Sequence, residues 1–212
     1  MVYRRVFCAV LLAGALTGAR GESAEWGLVG GGSFFQDKAV TAPFGRANAG
    51  FARGFAAGLW GGHNYRWVGG EIRYLFEHQP LRVATGAARA DFRGRSHAIH
   101  YNLLIHAAPA EAKLRPFVAV GGGIKGYQGT GTERLYQPLQ EFALLTRTSQ
   151  WKGLVVFGGG LKWALSPRVV LRLEVYDYLT EFPEKVIAPA PGASLGGWIH
   201  NLVPAVGAGF LF

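Results

Sequence analysis

Residues 67–77 read Trp-Val-Gly-Gly-Glu-Ile-Arg-Tyr-Leu-Phe-Glu, and residues 169–178 read Val-Val-Leu-Arg-Leu-Glu-Val-Tyr-Asp-Tyr. Both alternate. In the first, Val68, Ile72, Tyr74 and Phe76 share one parity, and Glu71, Arg73 and Glu77 the other. In the second, Val169, Leu171, Leu173 and Val175 oppose Arg172 and Glu174. A period of two marks a strand with two unlike faces. The same period recurs over about residues 25–35, 51–62, 95–106, 116–127, 151–163 and 198–212. Each of these strands is near the ~9–11 residues that a tilted strand needs to cross a bilayer. A helical reading fails at Gly121-Gly122-Gly123 and Gly158-Gly159-Gly160, where each glycine would cost a helix about 1 kcal/mol.

The connections alternate in length. Residues 63–66 and 165–168 are tight turns, and 107–115 is a moderate one. The connections after the first, third, fifth and seventh strands are long and are expected to be polar loops. A soluble β-sandwich has no reason for this alternation, whereas a membrane barrel has short turns on one rim and long loops on the other. The expected fold is all-β: an eight-stranded antiparallel up-and-down transmembrane β-barrel over residues 22–212, preceded by a helical signal peptide at 1–21.

Composition agrees. Of 212 residues, 32 are Gly and only 17% are charged, against about 7% and about 25% in average domains. Half the chain is apolar, which excludes intrinsic disorder. No uncharged apolar run of ~18 residues follows the N-terminus, which argues against a helical membrane bundle. At that terminus Arg4 and Arg5 precede an apolar stretch, Phe7 to Leu16, and Ala19 and Gly21 flank Arg20 at a cleavage site. This is a secretory signal. The single cysteine, Cys8, leaves with it, so the secreted chain uses no disulfide in an oxidising compartment. The formal charge of +9 falls on cleavage and is otherwise dispersed, so nucleic acid is not an expected partner.

Two faces imply two surroundings. An eight-stranded lumen is only wide enough for side chains, and charges buried there must pair. A lumenal ion-pair network is therefore expected from Glu71, Arg73, Arg172 and Glu174, with Lys125 and Lys162 nearby. Such a network either plugs the lumen or gates ions. Trp26, Trp60, Trp67, Trp151, Trp163 and Trp198 fall near strand ends in several cases, as do Tyr65, Tyr127 and Tyr178. They read either as an interfacial aromatic girdle or as ordinary packing. Arg46, Arg82, Arg89, Arg93, Arg134 and Arg147 lie on the long loops or their roots. They either meet lipopolysaccharide phosphates or solvate the rim.

The sequence closes on Gly207-Ala208-Gly209-Phe210-Leu211-Phe212. Gly207, Phe210 and Phe212 match the assembly signal of outer-membrane barrels, while Ala205 departs from it where a polar residue is usual. On these features residues 22–212 resemble the outer membrane β-barrel superfamily, in particular its small OmpA-like eight-stranded domain. The resemblance implies residence in the outer membrane of a Gram-negative-type bacterium, contact with its lipid and lipopolysaccharide, and delivery by the barrel-assembly machinery as a monomer. The peptidoglycan-binding domain of OmpA-type proteins does not follow the barrel, so no cell-wall tether is implied.

A structural or surface-interaction role is expected, with a narrow pore or hydrophobic-ligand conduit of the OmpW-like kind as the alternative. An enzyme similar to the lipid A deacylase PagL is a third reading. That pattern needs a serine two residues after a histidine on the last strands, whereas His200 is followed by Asn201 and Leu202. No catalysis, cofactor or metal is expected. His100 and His106 share a face but lie about 20 Å apart, and His97 and His100 point to opposite faces.

Overall fold

The computed structural model describes residues 23–212. The signal segment, with Cys8, lies outside them. In chain order the strands are β1 (Ser23–Phe35), β2 (Lys38–Ala42), β3 (Gly45–Phe51), β4 (Gly54–Asn64), β5 (Val68–His78), β6 (Leu81–Ala84) and β7 (Arg89–Phe92). There follow β8 (Gly94–His106), β9 (Leu114–Gly129), β10 (Ala143–Leu145), β11 (Ser149–Ser166), β12 (Val169–Glu181), β13 (Ile187–Pro189) and β14 (Trp198–Leu211). Eight of them, in the order β1-β14-β12-β11-β9-β8-β5-β4, form a closed barrel. Every neighbouring pair is antiparallel. Closure falls between β1 and β14, where Ala24 and Phe212 exchange both backbone hydrogen bonds at 3.0 Å. A sheet with no free edge satisfies its own N–H and C=O groups, as a spanning structure must.

Parity sorts the side chains. Leu28, Leu59, Ile72, Tyr101, Val118, Leu173 and Val206 face outward and are exposed, the surface that a barrel presents to acyl chains. Glu25, Glu71, Arg73, Lys125, Arg172 and Glu174 face inward and are buried.

The glycines have a specific use at one place. The indole of Trp60 lies across β1 and β14. A Cβ on Gly27 would come within 2.4 Å of it, on Gly207 within 2.7 Å, and on Gly209 within 3.0 Å. Three glycines thus make the floor that lets a tryptophan lie flat inside a narrow bore.

The long connections are not polar loops, which corrects the sequence expectation. They carry β2, β3, β6 and β7, which form a four-stranded sheet in the order β2-β3-β6-β7, and β10 and β13, which pair with each other. Thr41 of β2 exchanges backbone bonds of 3.1 and 2.8 Å with Ser194, in the connection that follows β13. Val40, Phe51, Leu81, Val83, Phe142, Leu145 and Ile187 of these strands and connections are buried in one common core. This cap core is continuous with Tyr127, Phe182 and Ile199 at the barrel mouth. Burial of each such large side chain contributes about 1.5–3 kcal/mol, so the cap is held on the barrel by its own apolar core. The second barrel strand accordingly starts at Gly54, not Phe51, whose ring belongs to the cap.

Gly27→Ala and Gly207→Ala drive a methyl into the Trp60 ring and should each lower barrel stability by about 1–3 kcal/mol. Gly30→Ala, with nothing within 4 Å of the added carbon, should leave it unchanged. Urea titration of the protein refolded in detergent micelles, followed by circular dichroism, checks both.

Candidate functional site

The lumen holds two charged layers. Toward the short-turn rim, Arg172 is the hub. Its Nε donates to Glu25 Oε1 at 2.8 Å and its Nη1 to Glu71 Oε2 at 2.6 Å. Arg73 grips Glu174 with both Nη atoms, one of them at 3.0 Å, and reaches Glu71 Oε1 at 3.0 Å. Lys162 Nζ donates to Glu25 Oε2 and Asn64 Oδ1, both at 2.8 Å. Neutral donors complete the carboxylates. Asn64 and Trp60 donate to Glu25 at 2.9 and 3.2 Å, and Asn102 donates to Glu71 at 3.1 Å. The guanidinium of Arg172 lies 4.4 Å from the centre of the Trp60 ring, and that of Arg73 lies 4.6 Å from Tyr176, within cation–π range. Three carboxylates (Glu25, Glu71, Glu174) meet three cations (Arg73, Lys162, Arg172).

The second layer sits under the cap. Glu77 pairs with Lys125 and accepts from Ser33 at 3.0 Å, Ser96 at 2.7 Å and Asn201. Lys125 Nζ is ringed by Phe35, Tyr178 and Tyr127 at 4.9, 5.3 and 5.5 Å from their centres. One carboxylate meets one cation, so this layer too is neutral. At the short-turn mouth Arg115 donates to the carbonyls of Ala108, Tyr65 and Arg66 at 3.1, 2.7 and 2.8 Å. It ties two turns together and leaves a residual cavity of about 50 Å³.

The structure therefore brings Glu71, Arg73, Arg172, Glu174 and Lys162 into one cluster and puts Lys125 in another. Sequence reasoning left out Glu25 and Glu77 as partners, and Trp60 as a lumenal residue. Trp60 is 1% exposed, which corrects its assignment to an aromatic girdle: its parity is opposite to that of the outward Phe55 and Leu59. Tyr127 and Tyr178 are buried in the upper lumen for the same reason. The other five tryptophans are exposed on the outer face. Trp26, Trp67 and Trp163 lie toward the short-turn rim, and Trp151 and Trp198 toward the long-connection rim. Gly207 lies under Trp60, while Phe210 and Phe212 are exposed at the closing seam.

On the outer face His200 Nδ1 lies 2.7 Å from Asp177 Oδ2. Among the described residues no serine bonds to it. His97 likewise pairs outward, with Tyr74 at 2.7 Å. The loop arginines separate into two groups. Arg82 and Arg89 share Asp91 at 2.9 and 2.7 Å, and Arg46, Arg93, Arg134 and Arg147 are exposed without an ion-pair partner among the described residues.

Arg172→Leu leaves Glu25 and Glu71 buried with one cation fewer and should cost about 3–5 kcal/mol. Arg89→Leu removes an exposed pair and should cost under about 1 kcal/mol. The same micelle titration separates the two; equal losses would show that the hub carries no special weight.

No protein-family model matches the chain, and no curated protein does. Solved structures do. Neisserial surface protein A aligns at 10% identity and TM-score 0.54, over 92% of this chain and 99% of that one. The outer membrane protein OprG from Pseudomonas aeruginosa aligns at 12% and 0.55, over 91% and 96%. The outer membrane protein AlkL, solved in DMPC lipid bilayers, aligns at 12% and 0.51, over 93% and 94%. At such identities the likeness concerns the path of the backbone, and it runs the length of the barrel. Closed order, strand number and outward apolar face agree with it, so the chain has the fold of the eight-stranded outer-membrane β-barrels.

Proposed function

We propose that the protein is an integral outer-membrane barrel of a Gram-negative-type bacterium whose role is structural and recognitional, exercised through the folded cap and not through the bore. The observation that carries this reading is the filled lumen: two charge-neutral layers with the cap core sealed over them. A conduit needs a continuous wet or apolar path, and here both charged layers are occupied by buried, paired side chains. The same packing favours the plug over the gate, because opening would strip several ion pairs at once from a buried site. For that reason the alternative of a narrow pore or hydrophobic-ligand conduit is the weaker one. The reading assigns no catalytic step.

It takes outer-membrane lipid and lipopolysaccharide as the surroundings of a monomer. Tryptophans at both ends of the apolar belt suit the two headgroup levels. The barrel-assembly machinery is the insertion partner, acting on the seam that ends in Phe210 and Phe212.

Planar-bilayer recording of the refolded protein tests the reading. The expected record is electrically silent across the usual voltage range. Reproducible unitary openings that vanish in Arg172→Leu would overturn it in favour of a gated pore.

A further inference from the structure

One flank of the cap opens into a pocket of about 510 Å³, between β7 and the connection that follows β9. Its volume is in the range of small-ligand sites, about 300–1,000 Å³. Arg89, Arg93 and Arg134 line it against a single carboxylate, Asp91. That carboxylate is already divided between Arg89 and Arg82. Arg93 and Arg134 have no carboxylate within ion-pair distance among the described residues, so the pocket carries uncompensated positive charge.

Its walls are fixed independently of any ligand. Thr130 N donates to Arg93 O at 2.8 Å. Gln137 clamps Leu145 with both ends of its amide, at 2.9 and 3.1 Å. Gly131 runs flush against the Phe92 ring, where a Cβ would come within 2.8 Å of it. Tyr136 stands largely exposed at the mouth. The base of the pocket is at the barrel rim, since Arg93 directly precedes Gly94, the first residue of β8.

We propose that this pocket binds a phosphate-bearing saccharide, the guanidinium groups of Arg93 and Arg134 gripping the phosphate and the Tyr136 ring covering a sugar face. Guanidinium forks match phosphate oxygens two at a time. The rim position puts Arg93 near the level where the headgroups of the outer leaflet begin. An extended acidic peptide added to the edge of β7 is the rival occupant. It has little to pair with: β7 is four residues long, and the outward carbonyl at Arg93 is already taken by Thr130. With alternate residues facing outward in an antiparallel strand, only Arg89 and Asp91 remain.

The proposal rests on the reading that the cap is displayed outside the cell, and the experiment separates the two. Calorimetric titration of the micelle-refolded protein uses five probes. They are the deacylated phosphorylated oligosaccharide of lipopolysaccharide, the same oligosaccharide dephosphorylated, glucosamine 6-phosphate, inorganic phosphate and hexaglutamate. The phosphorylated oligosaccharide should bind one to one and the dephosphorylated form should not. Arg93→Ala with Arg134→Ala should weaken binding about tenfold or more, as loss of charge-assisted bonds does. Arg46→Ala with Arg147→Ala, outside the pocket, should change nothing. Tighter binding of the oligosaccharide than of glucosamine 6-phosphate supports the proposal with the membrane's own lipid as source, and parity supports it with a free phosphosugar. Four results would overturn it: no binding, indifference to dephosphorylation, equal loss from both arginine pairs, or preference for hexaglutamate or inorganic phosphate over either sugar. In parallel, Ala87→Cys, at an exposed turn of the cap, is labelled with a membrane-impermeant maleimide on intact cells. Absence of labelling overturns outward display; labelling without oligosaccharide binding overturns the pocket alone.

Discussion

Closing eight strands into a ring leaves a bore that only side chains can fill, and in this protein the filling is charged. A buried charge is tolerated only with a partner and with its remaining hydrogen-bonding sites met. Everything inside follows from that demand. Arg172 bridges Glu25 on the first barrel strand to Glu71 on the third, and Arg73 bridges Glu71 to Glu174 on the seventh. The ion pairs therefore cross the bore and hold opposite walls together, where backbone bonds join only neighbours. Trp60 shields one face of the hub and needs a floor without Cβ atoms, which β1 and β14 supply through Gly27, Gly207 and Gly209.

The cap obeys a different solvent. Above the rim, water is available on one side, and the connections bury apolar side chains against each other and over the mouth. The molecule thus has an apolar outside where it meets lipid and an apolar inside where it meets water. The two arrangements join at Tyr127, which bonds Thr180 at 2.7 Å inside the upper lumen and packs on Phe51 of the cap at 5.2 Å between ring centres.

The barrel was legible in the sequence because one physical rule, alternation across a sheet, runs through every spanning strand. Strand count, the long and short connections and the inward parity of Glu71, Arg73, Arg172 and Glu174 all come from it. The same rule places Glu25 opposite the outward Trp26 and Leu28, and Trp60 opposite Leu59. Treating tryptophan as an interfacial residue by type obscured a parity that was already readable. The cap was not legible for another reason. Its strands are three to seven residues long, too short for periodicity to stand out, and its core is assembled from four connections far apart in the chain. Pairings such as Ala143 with Pro189, or the bridge from Thr41 to Ser194, leave no local trace. The basic pocket shares this origin, since Arg93 and Arg134 meet only because those connections fold on one another.

The separation of Trp60 from the other five tryptophans gives the protein a built-in optical contrast. Lipids carrying a heavy-atom quencher in their acyl chains touch Trp26, Trp67, Trp151, Trp163 and Trp198 from outside but are screened from the lumen by the sheet. Emission that survives such quenching comes from an indole stacked on a guanidinium, so the bore reports on its own ion pairs without any added label.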